Sequence, residues 1–161
     1  MRLPIIYGVI FGLLSSFFKF SDLENNFIDT LPFIFLFLSI VIATIHYKNK
    51  HSNIQQFTYK QVVRLGVVVV FVASIVISVS TYYYCAFQNP EFISNEIEDA
   101  KIELMKTTTD LKVIDSKLMQ LKEANTIGRY VFNVFTANLV VGMFLSFILS
   151  VFLRGNLRLI K

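Results

Sequence analysis

Few residues in this chain have the side chains and the spacing that chemistry demands. Its two histidines, His46 and His51, stand five apart. On a helix they face different directions, so they cannot make the i, i+4 pair that grips zinc, and no Cys, Asp or Glu stands nearby to complete a ligand set. They read as interfacial histidines, and no metal site is expected. The lone Cys85 excludes an intramolecular disulfide and sits in an apolar setting unfavourable to a thiolate. It reads as an inert buried thiol. There remain stripes of hydroxyls and small side chains: Gly66, Ser74, Ser78, Thr81 and Cys85 in one stretch, and Asn138, Gly142, Ser146 and Ser150 in another. Such stripes could line a path for a polar solute. No carboxylate or basic residue accompanies the first of them, however, and small residues at four-residue steps are the usual means by which membrane helices approach each other. Hydrolysis would need a nucleophile with its base or a set of metal ligands, and the apolar stretches hold no Asp or Glu to serve. No catalytic residue and no cofactor are therefore expected, and the chain does not read as an enzyme.

The elements that carry these stripes follow from composition. A chain of 161 residues that is 55% hydrophobic, with a mean hydropathy of +0.61, cannot hide that much apolar surface in a soluble core. Lipid must be its solvent. The net charge of +4 does not point to nucleic acid, because the basic residues are scattered beside apolar stretches rather than gathered into an aromatic-interleaved patch. Four stretches are long enough to cross a bilayer core of roughly 30 Å at about 1.5 Å per residue, at about 3–20, 31–47, 65–88 and 129–153. Together they leave room for one domain, 1–161, and for no soluble catalytic domain.

The third stretch is the best marked. Thr58 and Gln61 make a capping box, Lys60 and Arg64 flank the entry, and Tyr82, Tyr83 and Tyr84 mark the exit. The first stretch carries Gly8, Gly12 and Ser16 at four-residue steps and, lacking a convincing small-x-small cleavage site, reads as an uncleaved span. An acidic turn with Asp22, Glu24 and Asp29 follows, and Asp29 or Thr30 can cap the second span, where Pro32 falls in the first turn. Only Ser39 and Ala43 make a small-residue step there, so most of that span, Leu36 included, should face lipid. The connection holding Lys48, Lys50, Lys60 and Arg64 has no acid, and Arg154, Arg158 and Lys161 end the chain. The positive-inside rule then puts both termini in the cytoplasm.

Between the third and fourth spans, at about 91–125, lie eight of the eleven acids and five lysines. Ile97, Leu104, Leu111 and Leu118 repeat every seven residues, with Ala100, Thr107, Ile114 and Leu121 three behind each, an a/d pattern. The run Thr107 to Asp110 is poor in helix formers and rich in N-caps. It should break the segment into an antiparallel hairpin whose Ile97, Leu104, Leu111, Ile114, Leu118 and Leu121 are available for interaction.

The segment FTYKQVVRLG entering the third span, the exit ending in NPEF at Asn89 to Phe92, and the close FILSVFLRGN resemble the four-span bacterial membrane proteins catalogued as domain-of-unknown-function family 4199. The resemblance covers essentially the whole chain, and it implies no known activity or ligand. The expected architecture is an all-α integral membrane protein, a bundle of four transmembrane helices with an extracytoplasmic amphipathic helical hairpin between the third and fourth. The expected role is that of a small multi-pass inner-membrane protein, structural or accessory. Its partners would be the lipid bilayer and, through the outer helices, another membrane protein or its own copy. The alternative is a small transporter or channel subunit. The helix-packing residues would be Gly8, Gly12, Ser16, Gly66, Ser74, Ser78, Asn138, Gly142 and Ser146.

Overall fold

The computed structural model describes residues 2–20, 31–51, 57–108, 110–124 and 126–154, and no strand occurs among them. The elements are α1 (Arg2–Lys19), α2 (Leu31–Lys50), α3 (Tyr59–Tyr83), a π-helical turn (Tyr84–Gln88), α4 (Phe92–Thr107), α5 (Leu111–Ala124) and α6 (Ile127–Leu153). Four of these are long and apolar enough to cross a bilayer: α1, α2, α3 with its π turn, and α6, of 18, 20, 30 and 27 residues. The chain is thus an all-helical, multi-pass membrane protein. The acidic turn with its caps at Asp29 or Thr30, together with Arg158 and Lys161, lies outside the described residues.

Helix α3 starts at Tyr59, six residues before the apolar run at Leu65. Hydropathy delimits only the part of a helix that meets hydrocarbon, whereas its true start is set by whatever satisfies the first backbone N–H groups. Here the Thr58 N–H donates to Gln61 Oε1 at 3.0 Å, one half of the expected capping box. Phe57 and Val62, at the two positions of a hydrophobic staple, are both buried in the same apolar cluster.

Packing divides the chain into two units, residues 1–77 with 135–161 and residues 78–134. In the first, α1 packs on α2, and the core is built from Leu36, Ile40 and Ala43 of α2, the Val62 to Ala73 face of α3, and Leu149 and Leu153 of α6. On α3 the pairs Leu65 with Gly66, Val69 with Val70, and Ala73 with Ser74 are buried on successive turns, the mark of a helix with neighbours on more than one side. Leu36 corrects the sequence reading. It is 3% exposed and packs beside Gly142 rather than facing lipid. The physical reason is that lipid is as apolar as leucine, so an apolar side chain carries no mark of which face it takes.

Glycines set how closely these helices approach. A Cβ on Gly8 would lie 2.7 Å from Val72 Cβ and 2.8 Å from the Val69 carbonyl oxygen, and one on Gly12 would lie 2.8 Å from Val76 Cβ. On α3, a Cβ at Gly66 would sit 2.7 Å from Ser146 Oγ, while at Gly142 it would meet both Val70 methyls and lie 3.1 Å from Leu36 Cδ2. Gly8 and Gly12 therefore seat α1 on α3, while Gly66 and Gly142 seat α3 on α6 and α2. Outside this seam, Phe17, Phe33, Phe71, Phe144 and Phe152 are exposed, an apolar surface suited to acyl chains.

In the second unit the chain leaves α3 through the π turn. The Asn89 N–H donates to the Tyr84 carbonyl five residues back at 2.8 Å, and Asn89 Nδ2 donates to Tyr84 Oη at 3.3 Å. Pro90 ends the helix, because its ring disfavours helical backbone at Asn89, whose φ and ψ are −137° and 77°. Edge-to-face contacts of Phe92 with Tyr84 at 5.6 Å and with Tyr130 at 5.7 Å then tie the exit of α3 and the start of α4 to the start of α6.

Two glycines of α6 give a paired test. A Cβ at Gly128 would meet nothing within 4 Å. Gly128→Ala should therefore raise stability by up to about 1 kcal/mol through helix propensity, while Gly142→Ala should lower it by about 1–3 kcal/mol through overpacking. Reversible unfolding in mixed detergent micelles measures both. Shifts of the same sign would refute the seam.

Candidate functional site

The hydroxyls that could have formed a polar path are mostly turned back on their own helices. Ser16 Oγ donates to the Gly12 carbonyl at 2.8 Å, Ser39 to Leu36 at 2.7 Å, Thr44 to Ile40 at 2.7 Å and Ser146 to Gly142 at 2.8 Å, and Ser150 bonds likewise to Ser146. Each is buried, so its oxygen is satisfied locally and its small volume serves close contact. Ser74 and Ser78, one turn apart on α3, differ. Their hydroxyls are buried and make no hydrogen bond among the described residues. Asn138 lies half-buried on α6. Cys85 is buried in the π turn at 1% exposure.

The histidines sit at the end of the first unit. Tyr7 Oη shares a hydrogen bond with His46 Nδ1, and the His51 ring stacks on Tyr47 at 4.2 Å while its Nδ1–H donates to the Tyr47 carbonyl at 2.9 Å. Among the described residues, no three His, Cys, Asp or Glu side chains converge.

The segment between the third and fourth spans is two helices, α4 and α5, packed on each other. Local hydrogen bonds account for the break. Thr108 adopts extended backbone, with φ −147° and ψ 145°, and Asp110 Oδ1 accepts from the Lys112 N–H at 3.0 Å as the N-cap of α5. The Thr107 hydroxyl closes α4 by donating to the Leu104 carbonyl at 2.9 Å. The apolar heptad positions face inward: Ile114 is 3% exposed, and Ile97, Ala100, Leu104, Leu118 and Leu121 are half-buried, while Thr107, at the break, is exposed. The side chain of Leu111, the first residue of α5, lies outside what is described. Partial burial is what two helices can achieve, since a third face of each heptad stripe has no neighbour in the pair.

Between the arms lies a cavity of about 540 Å³, lined by Ala100, Glu103, Leu104 and Thr107 from α4 and Lys117, Gln120 and Leu121 from α5. The sequence reading named Leu104 and Leu121 but missed Glu103, Lys117 and Gln120. A signal for two of them was present: in the heptad frame of Leu104 and Leu118, Glu103 and Lys117 both take g positions, which flank a helical seam. Ile102, Met105, Val113 and Met119 are exposed elsewhere on the pair, Met119 by 65%.

The hairpin is testable by its reach. In a Cys85→Ser background, cysteines at Ala100 and Leu118 should be joined within one chain by a short thiol crosslinker, giving a monomer of altered mobility on gels. A continuous helix would hold the same positions about 27 Å apart, so a product formed solely between chains would refute the hairpin.

No curated protein and no solved structure matches this chain. A family model does, described as a protein of unknown function (DUF4199), and the match runs over residues 5–155, from the first helix to the end of the last. The chain therefore belongs to family DUF4199.

Proposed function

We propose that this chain is a non-enzymatic accessory protein of the bacterial inner membrane, which displays the α4–α5 hairpin outside the cytoplasm as a docking site for a helix of another membrane protein. The observation that carries this reading is the cavity between the arms. Its walls are apolar at Ala100, Leu104 and Leu121, and its rim carries Glu103, Lys117 and Gln120. An amphipathic helix laid in the groove would complete the burial of the half-exposed heptad leucines, each worth up to about 1.5–3 kcal/mol when taken out of water. Charge selects the partner. The segment 91–123 holds eight carboxylates and five lysines, so a second copy would bring like charge, while a helix with a basic flank would bring the opposite charge.

Topology supports an outer position for the hairpin. Lys48, Lys50, Lys60, Arg64 and Arg154 mark the connection between α2 and α3 and the end of α6, as cytoplasmic segments do. A reporter active solely outside the cytoplasm should be active when fused after Ala100 and silent after Ser52. A subunit of a small transporter or channel is the second reading, and it draws on the hydroxyls of Ser74 and Ser78, which make no hydrogen bond among the described residues. The back-bonded state of the other hydroxyls and the lack of an intramembrane carboxylate weigh against it.

A photoreactive residue at Gln120, inside the groove, should form a discrete heterologous adduct in native membranes, and one at Ser116, exposed elsewhere on α5, should not. Ala100→Trp, which fills the groove, should abolish the adduct. An adduct of twice the chain mass would assign the groove to a second copy, and adducts insensitive to Ala100→Trp would refute docking there.

A further inference from the structure

At the end of the first unit where α1 begins and α2 ends, Pro4 of α1, Tyr47 of α2, and Gln61, Arg64, Leu65 and Val68 of α3 enclose a second cavity, of about 180 Å³. It belongs to no part of the hairpin site. Its residues divide by chemistry. Pro4 and Leu65 are buried and Val68 is half-buried, an apolar wall, whereas Gln61 and Arg64 are exposed and polar. Gln61 already accepts the Thr58 N–H through Oε1, which leaves its Nε2 amide as a donor. Tyr47 is held in place, stacked by His51 at 4.2 Å and met edge-on by Phe57 at 5.9 Å. The cavity is thus built from three helices with a fixed aromatic wall.

Charge is one-sided at this end. Arg2, Lys48, Lys50, Lys60, Arg64 and Arg154 all lie at the helix ends gathered here, and no Asp or Glu occurs among the described residues of this unit. The Arg64 guanidinium, with its five donors, therefore borders an apolar cavity at these helix ends with no carboxylate to pair with among the described residues of its unit. A ligand that satisfies both halves must join an anion able to take a forked hydrogen bond to a hydrocarbon chain.

We propose that this cavity binds the phosphodiester headgroup of an acidic glycerophospholipid, with Arg64 forking onto the phosphate, Gln61 and Tyr47 donating to it, and Pro4, Leu65 and Val68 receiving the first carbons of an acyl chain. The surrounding cations favour an acidic headgroup over a zwitterionic one, because choline or ethanolamine would add positive charge to an end whose described residues include no acid. The inference depends on the helices spanning a membrane and is independent of what the hairpin binds.

The test uses the full chain in a neutral detergent, titrated in native mass spectrometry with phosphatidylglycerol, phosphatidylcholine and water-soluble glycerophosphoglycerol. Phosphatidylglycerol should bind about tenfold more tightly than phosphatidylcholine, as one good charge-assisted pair allows. Arg64→Gln should erase the preference, and Lys60→Gln, on the same helix but off the cavity, should retain it. Arg64→Lys keeps the charge and loses the fork, so it should weaken binding by about threefold. Full retention in either Arg64 variant, or an equal loss in Lys60→Gln, would overturn the site in favour of diffuse attraction. Binding of glycerophosphoglycerol as tight as that of the lipid would overturn the acyl-chain half and assign the cavity to a free phosphate ester.

Discussion

Helices in a bilayer gain little from hiding apolar side chains against each other, since the acyl chains they displace are equally apolar. Their association depends on how many atoms come within van der Waals range and on the local satisfaction of polar groups. The first unit is arranged around that constraint. Gly8, Gly12, Gly66 and Gly142 stand where any side chain would strike a neighbouring valine, serine or leucine. The same constraint explains why Ser16 and Ser146 appear beside glycines: a serine that donates to the carbonyl four residues back is nearly as small as alanine and leaves no orphan donor. Val69, Val70 and Ala73 fill the facing turns of α3, with few rotamers to lose on packing.

A different solvent governs the segment between the third and fourth spans. There the chain must leave hydrocarbon, and α3 ends by distinct means: a π turn, an asparagine that bonds back to Tyr84, and Pro90. Beyond them the mean hydropathy falls and burial in water becomes the driving force, so α4 and α5 cover each other along the heptad stripe. Two helices of 16 and 14 residues cannot close a core, which is why the leucines are half-buried and a cavity remains between the arms. The membrane unit satisfies itself by close approach, whereas the water-facing pair leaves apolar surface for a further element.

The two cavities differ in the same way. One is flanked by opposite charges, Glu103 and Lys117, on a segment rich in acids. The other is flanked by Arg64, on a unit whose described residues carry no acid. A helix with a basic flank suits the first, and an acidic lipid suits the second. Both readings follow from matching the charge at the rim to the apolar wall behind it.

The order of elements was legible in the residues alone, because each is announced by local physics. Four apolar runs of bilayer length can be solvated solely by lipid, Thr58 and Gln61 mark a helix start, and the heptad of Leu104 and Leu118 with caps at Thr107 to Asp110 specifies a broken amphipathic helix. The glycine and serine steps marked the packing faces of α1, α3 and α6 for a related reason: the location of small residues in a membrane helix tells protein from lipid where that of large apolar ones does not. Other features depend on tertiary structure. Leu36 could be placed in the core only once α2 met Gly142 of α6. The union of Pro4, Tyr47 and Arg64, distant in sequence, needed three helices to come together at one end. That the Ser146 hydroxyl bonds its own helix while that of Ser74 makes no hydrogen bond among the described residues was likewise visible only in the structure. Periodicity records how a residue relates to its own helix axis, and in a medium as apolar as the side chains themselves it holds no record of what stands across from it.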